Sequence, residues 1–85
     1  MRPMLTADQR ARGQLLGRLL KDARREAKLP LGPLSARAGV AVDTIKKIES
    51  GRALAPTFWV VADIAQALEL DLAALARAAR KPSSR

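Results

Sequence analysis

The sequence contains no cysteine, no histidine and no tyrosine, and its only aromatic residues are one phenylalanine and one tryptophan. Without cysteine, neither a disulfide framework nor a thiolate metal site can form. Without histidine, the chain lacks the commonest metal ligand and general base. The carboxylates Asp63, Glu69 and Asp71 are too scattered for a metal site or an acid/base pair. We therefore expect no catalytic residue, no metal and no cofactor, and predict that the protein is not an enzyme.

Long hydrophobic runs are also missing. The longest uncharged stretch, residues 53–62, is interrupted by Pro56. It is much shorter than the roughly 20 residues that a membrane-spanning helix needs, and it is not placed as a signal sequence. We expect a cytoplasmic protein without a membrane partner.

The charge is strongly unbalanced toward the basic side. The chain of 85 residues carries 16 Lys and Arg against 8 Asp and Glu, which gives a net charge of +8. A chain of this length forms one small domain, and such a charge is typical of a domain that binds a polyanion. Nucleic acid is the expected partner, and an anionic membrane surface is the weaker alternative.

Alanine and leucine greatly outnumber β-branched residues, which favours an all-helical fold. Thr6 and Gln9 have the spacing of a capping box, and apolar residues then recur on one helical face to about Lys28. The segment 29–33 contains two prolines and should end this first helix.

A short second helix is predicted over Leu34–Ala38, followed by a turn at Gly39 that requires a positive φ. A third helix should begin near Val42 and end at Gly51, with two isoleucines directed into the core. This is the pattern helix, tight turn, helix.

Two further helices complete the predicted domain. Thr57 should cap a fourth helix after Pro56, and Asp71 should cap a fifth. The apolar stripe of the fourth helix is predicted at Phe58, Val61, Ile64, Ala65 and Leu68, and that of the fifth at Leu72, Leu75 and Ala79. We divide the chain into an N-terminal arm or extension of helix one (1–12), a helix-turn-helix DNA-binding domain (13–79) and a basic flexible tail (80–85).

These elements, in this order, resemble the Xre family of phage-repressor-like DNA-binding domains. The residues that carry the resemblance are Gly17, Leu20, Arg24, Leu34, Ala38, Gly39, Val40, Thr44, Ile45, Ile48, Glu49, Gly51, Pro56, Ile64, Leu68, Leu70 and Leu75. The resemblance implies a compact five-helix, all-α domain whose helices two and three form the helix-turn-helix. It also implies that helix two lies across the phosphate backbone and helix three enters the major groove. Arg24 and Glu49 match the family's structural ion pair.

The sequence departs from the family at two helix starts. Leu31, Gly32 and Pro33 replace a polar capped start, so helix two is expected to begin late and to anchor a phosphate weakly. Ala41 stands where a capping Ser or Thr is usual, which leaves water, phosphate or Asp43 to satisfy the start of helix three.

The candidate base-reading residues are Val42, Asp43, Lys46 and Lys47. Val42 can contact a thymine methyl group, and the lysines can donate to guanine or to phosphate. Asp43 can accept a hydrogen bond from a cytosine amine, or it can serve only the helix dipole.

The candidate phosphate contacts are Thr44, Arg52 and the backbone N–H groups of Thr57 and Phe58 at the start of helix four. The alternative for Arg52 is a solvated side chain. By the family's spacing Phe58 points inward. Trp59 is then either exposed, as a candidate for the dimer contact, or packed under the loop 53–55.

The resemblance implies a sequence-specific, double-stranded DNA-binding transcriptional regulator. We expect a repressor that binds an operator as a homodimer, in the cytoplasm at the nucleoid. The alternative is a protein-interaction module, such as an antitoxin, that acts mainly through a toxin or polymerase partner bound by Trp59 and helix five.

Overall fold

The computed structural model describes residues 5–80, which form five α-helices and no strand. They are α1 (Ala7–Glu26), α2 (Leu31–Ala38), α3 (Val42–Glu49), α4 (Phe58–Ala67) and α5 (Leu72–Arg80). The predicted all-α fold is confirmed. Residues 7–12, predicted as an arm or an extension of helix one, are the first turns of α1, and Arg80, predicted in the flexible tail, is the last residue of α5. Residues 1–4 and the tail residues 81–85 lie outside the described part. None of the described helices has the length and apolar composition that crossing a membrane requires.

Side-chain caps fix the start of three helices. The Thr6 hydroxyl accepts from the Gln9 N–H at 3.0 Å, and the Gln9 side chain accepts from the Thr6 N–H at 2.8 Å. The Thr57 hydroxyl accepts from the Val60 N–H at 3.3 Å, and Asp71 caps α5 in a similar way at 3.1 Å. Each bond satisfies a donor that the helix itself leaves free, so the sequence sets these boundaries locally.

Helix α2 begins at Leu31, so its predicted late start at Leu34 is wrong. Pro30 is the extended N-cap residue, with φ −64° and ψ 165°. Pro33 occupies the third helical position, where a missing N–H costs nothing because that donor has no intrahelical partner. Gly39 ends α2 at φ +70°, in the left-handed conformation predicted for it.

The hydrophobic core holds the second and third helices in place. Helix α1 packs against α3 and α5, and α2 packs against α3 and α4. The buried side chains come from all five helices and from the turn between α2 and α3: Leu20, Leu34, Val40, Ile45, Ile48, Val61, Ile64, Ala65, Leu75 and Ala79. Because α3 contributes only its two isoleucines to this core, Val42, Asp43, Lys46 and Lys47 remain exposed on its other side.

The predicted inward orientation of Phe58 is wrong. The other residues of the α4 stripe are buried or half-buried, but Phe58 is 60% exposed. Phe58 is the first residue of α4, so it lies at the end of the helix, beyond the part of the stripe that the core covers. Trp59 is 73% exposed and therefore does not pack under the loop 53–55. The two rings contact each other edge to face, with centroids 5.1 Å apart.

Two glycines let other backbone segments approach α1 closely. A Cβ atom at Gly17 would overlap the carbonyl oxygen of Ile48 at the end of α3, and one at Gly13 would overlap the carbonyl oxygen of Leu54. Helix α1 can therefore lie directly against α3 and against the connection that follows it.

Candidate nucleic-acid interface

Helix α3 has one buried face and one solvent face. Ile45 and Ile48 are each only 1% exposed, because they are one turn apart on the side that meets the core. The predicted base-reading residues, Val42, Asp43, Lys46 and Lys47, are all exposed, and Thr44 is half-buried. The structure therefore brings the four base-reading candidates together on one accessible helix surface.

Asp43 and Lys47 form an ion pair on that surface. The Lys47 ammonium lies 3.3 Å from the Asp43 carboxylate, one helical turn away, and both side chains are mostly exposed. An exposed pair of this kind contributes less than about 1 kcal/mol to stability. In this arrangement the Lys47 ammonium lies toward the start of α3, next to an opposite charge.

The start of α3 has no side-chain cap. Ala41 is the N-cap residue and makes no side-chain hydrogen bond, and the Asp43 carboxylate is paired with Lys47. The first-turn N–H groups of a helix have no intrahelical partner and carry a partial positive charge. Water, a phosphate and Asp43 are the three groups predicted to accept hydrogen bonds from these N–H groups. Because Asp43 is paired with Lys47, water or a phosphate remains.

The connection between α3 and α4 is tied to α3 by backbone hydrogen bonds. Gly51 adopts φ +84°. The N–H groups of Arg52 and Ala53 then both donate to the Lys47 carbonyl at 3.0 Å. This turn places the exposed Arg52 directly after the charged face of α3. Thr57, the N-cap residue of α4, is also exposed.

An ion pair between α1 and α3 fixes the orientation of α3. Arg24 Nε donates to Glu49 Oε2 at 2.7 Å, and Arg24 Nη2 donates to Glu49 Oε1 at 3.0 Å. A third bond runs from Arg24 Nη1 to the Leu29 carbonyl at 3.2 Å. The side chains are 13% and 7% exposed. The hydrogen bond to Glu49 raises the pKa of Arg24 against the opposing effect of burial, so the guanidinium keeps its charge.

The predicted contacts are contiguous in the chain. The base-reading and phosphate candidates follow one another from α3 to the start of α4, and the exposed Trp59 comes directly after Phe58, with the two rings in contact. Sequence reasoning missed Gly13, since a close backbone approach to Leu54 depends on a loop path that no local pattern specifies. The four-residue spacing of Asp43 and Lys47 did indicate that their side chains lie close together on one helix face.

A family model described as a helix-turn-helix domain matches residues 15–79, a range that contains the charged face of α3, the turn before it and the connection after it. No curated protein matches the chain.

Proposed function

Because this chain belongs to the helix-turn-helix domain family, we propose that it is a sequence-specific transcriptional regulator that inserts α3 into the major groove of duplex DNA. We propose that it represses transcription by occupying an operator. Its site of action is then the nucleoid in the cytoplasm.

The exposed face of α3 is the observation that carries this proposal. It combines an apolar group, a carboxylate and two ammonium groups on one short helix whose opposite side is buried. Such a face supplies both kinds of contact that a duplex requires, since the ammonium groups attract phosphates and the other groups discriminate between base edges. The net charge of +8 supports the same partner.

The phosphate contacts are assigned to the residues around this face. Thr44 and Arg52 offer a hydroxyl and a guanidinium, and the N–H groups of Thr57 and Phe58 lie at the start of α4, where an anion is favoured. These contacts set the register of α3 in the groove without discriminating between sequences.

The protein binds its operator as a homodimer in this proposal. One α3 contacts only a few base pairs, and two-fold pairing adds a second α3 about 34 to 36 Å along the duplex, one helical turn away. We also propose that the domain is of the Xre type. The five-helix order and the Arg24–Glu49 pair support that assignment.

Selection of bound duplexes from a random pool tests the proposal. We expect enrichment of a palindrome whose half-sites are one helical turn apart. Fluorescence anisotropy on the selected site should then show an affinity that falls steeply with salt, because phosphate contacts release counterions. A pool that stays random, together with binding that salt leaves unchanged, would contradict DNA recognition.

The second candidate function is a protein-interaction module with a toxin or polymerase partner. The exposed rings of Phe58 and Trp59 favour it. An interface centred on aromatic rings depends little on salt, whereas duplex binding depends on it strongly. The same salt series therefore separates the two functions.

A further inference from the structure

Three basic residues form a stripe along one face of α1. Arg18, Lys21 and Arg25 follow Gln14 at the four- and three-residue spacing that places side chains on the same side of a helix. Arg18 and Arg25 are exposed, and Lys21 is half-buried. Within residues 5–80, none of these three cations lies in an ion pair. Because like charges at this spacing repel one another, a bound anion would stabilise the stripe.

The stripe borders a polar cleft between α1 and the end of α3. The cleft has a volume of about 360 Å³, and its lining consists of Gln14, Arg18, Lys21, Glu49, Ser50 and Gly51. We call it the α1–α3 cleft. Gly17 lets α1 lie directly against this end of α3, since a Cβ atom there would overlap the Ile48 carbonyl oxygen. Two cations of the stripe therefore line a pocket that adjoins the candidate reading helix.

The acidic group in this lining does not offset the two cations. The Glu49 carboxylate accepts two hydrogen bonds from the Arg24 guanidinium, so these two charges neutralise each other. The end of a helix is partially negative because its last carbonyls lack intrahelical partners. Backbone N–H groups donate to three of these carbonyls, those of Lys46, Lys47 and Ile48. The charges of Arg18 and Lys21 therefore dominate the α1–α3 cleft, and such a pocket suits a phosphate.

The α1–α3 cleft continues the charged face of α3. Ser50, which lines the cleft, is exposed one turn after Lys46 and Lys47 on the same side of α3. In the proposed complex α3 occupies the major groove, and a helix about 10 to 12 Å in diameter fills a groove about 12 Å wide. A helix packed beside α3, as α1 is, then lies over the sugar–phosphate backbone that borders the groove. The anion that the cleft meets is a backbone phosphate.

We propose that the α1–α3 cleft binds a phosphate of the DNA backbone. The Arg18 guanidinium and the Lys21 ammonium supply the charge, and the Gln14 amide supplies a further donor. The inference rests on the proposed function and adds a contact from α1 to those assigned on α3, on the connection after it and on α4. Because a phosphate contact carries no sequence information, the cleft strengthens binding and orients α3 without changing base preference.

Removal of both cations tests the contact. The double variant Arg18→Gln/Lys21→Gln should bind the selected duplex and a scrambled duplex more weakly by the same factor. The slope of affinity against salt should fall by about one unit for each copy bound, as expected for the loss of one phosphate contact. Fluorescence anisotropy over a series of salt concentrations measures both quantities. An unchanged ratio of the two affinities also shows that the double variant is folded and that α3 still reads bases.

A second double variant controls for net charge. Arg77→Gln/Arg80→Gln also removes two exposed cations, but from α5, whereas α3 packs against α1 and α2. It should leave the salt slope nearly unchanged, because charges distant from the contact are screened by salt. A difference between the two double variants therefore reports the α1–α3 cleft itself.

A charge of opposite sign in the cleft provides an independent test. Gln14→Glu replaces an amide in the lining by a carboxylate of the same size, so it should weaken binding to both duplexes through repulsion of the phosphate. Gln66→Glu makes the same exchange at an exposed position of α4 and should leave affinity nearly unchanged. Ethylation interference on the selected duplex locates the contact. We expect the parent chain to be sensitive to one phosphate per half-site to which Arg18→Gln/Lys21→Gln is insensitive.

Three results would overturn the inference, and they can be told apart. If the two double variants reduce the salt slope equally, the cleft contacts no phosphate, while DNA recognition stands. If Arg18→Gln/Lys21→Gln keeps full affinity for both duplexes but loses a binding to phosphatidylserine vesicles that the parent chain shows, the stripe serves a membrane surface. If the parent chain selects no duplex and its binding does not depend on salt, the proposed function fails together with the cleft contact.

Discussion

The Lys47 ammonium lies 3.3 Å from the Asp43 carboxylate across one turn of α3. The pair is exposed, so DNA entering at α3 meets it directly. In the proposed complex with DNA, a guanine would compete with the Asp43 carboxylate for the Lys47 ammonium, and a cytosine amine would compete with that ammonium for the Asp43 carboxylate. The two residues are therefore expected to contribute to base preference jointly.

Asp43→Ala should raise affinity for a scrambled duplex and reduce preference for the selected site. The first effect follows from removing a negative charge that faces phosphates, and the second from losing an acceptor for a cytosine amine. We expect the ratio of the two affinities to fall about tenfold, within the 1 to 3 kcal/mol that a base contact supplies. Anisotropy on both duplexes at two salt concentrations measures this ratio.

An equal gain on both duplexes would contradict base reading by Asp43. That result would assign the residue to the helix dipole and to its ion pair with Lys47 alone. Asp8→Ala is the control. Asp8 is likewise an exposed acidic residue in the first turn of its helix, and it forms an ion pair with Arg12 four residues later, but it belongs to α1.

Replacement of the two lysines should give different results. Lys47→Ala should cost about 1 to 3 kcal/mol and relax preference at one base position, because its ammonium is placed toward the start of α3. Lys46→Ala should weaken binding to all sequences alike and reduce the salt slope by about one unit, as loss of a phosphate contact does. A salt titration on the selected site and its single-base variants checks both. Unchanged binding in both variants would mean that α3 is not the reading element.

The buried ion pair predicts a large loss of stability. Arg24→Ala leaves the Glu49 carboxylate without its partner among largely buried groups, so unfolding free energy should fall by about 3 kcal/mol. Arg12→Ala removes an exposed i,i+4 pair with Asp8 and should cost less than about 0.5 kcal/mol. Urea unfolding of both variants makes the comparison.

The direction of the pKa shift gives this pair a pH signature. The pKa of Arg24 is raised in the folded state. A group with a raised pKa stabilises the folded state fully at pH values below its pKa in the unfolded chain. This stabilisation is lost only as the pH rises through the pKa of the group in the folded state. The decrease in unfolding free energy caused by Arg24→Ala should therefore be equal at neutral and mildly alkaline pH. A loss that disappears at mildly alkaline pH would contradict a guanidinium that keeps its charge.

Features of the structure that depend on local chemistry could be predicted from the sequence. The caps at Thr6 and Thr57 and the left-handed Gly39 all follow from groups within a few residues. The sequence predicts the start of α2 too late, because Leu31, Gly32 and Pro33 lack the polar cap that marks a helix start, whereas the extended backbone of Pro30 sets the start without one. The orientation of Phe58 was also predicted wrongly, since helical periodicity does not show how far along α4 the core extends. Contacts made by a loop backbone, such as that of Leu54 with Gly13, carry no local signal.

Two helical glycines should respond to very different extents to the same substitution. In Gly17→Ala the new methyl group would overlap the Ile48 carbonyl oxygen, a backbone atom that cannot rotate away. Helix α1 must then move off α3, so we expect a loss of about 2 to 3 kcal/mol despite the better helix propensity of alanine. In Gly32→Ala the methyl group meets no atom within 4 Å beyond its chain neighbours, but Pro33 follows it, and a β-carbon before proline disfavours helical backbone; because this cost opposes the propensity gain, we expect a change of less than about 1 kcal/mol. Urea unfolding measures both changes, and stabilisation by Gly17→Ala would contradict the close packing of α1 on the end of α3.

Because the packing of α1 on α3 also sets the orientation of the proposed reading helix, Gly17→Ala should weaken binding to the selected duplex at a temperature where the variant is still folded. Gly32→Ala should preserve this binding.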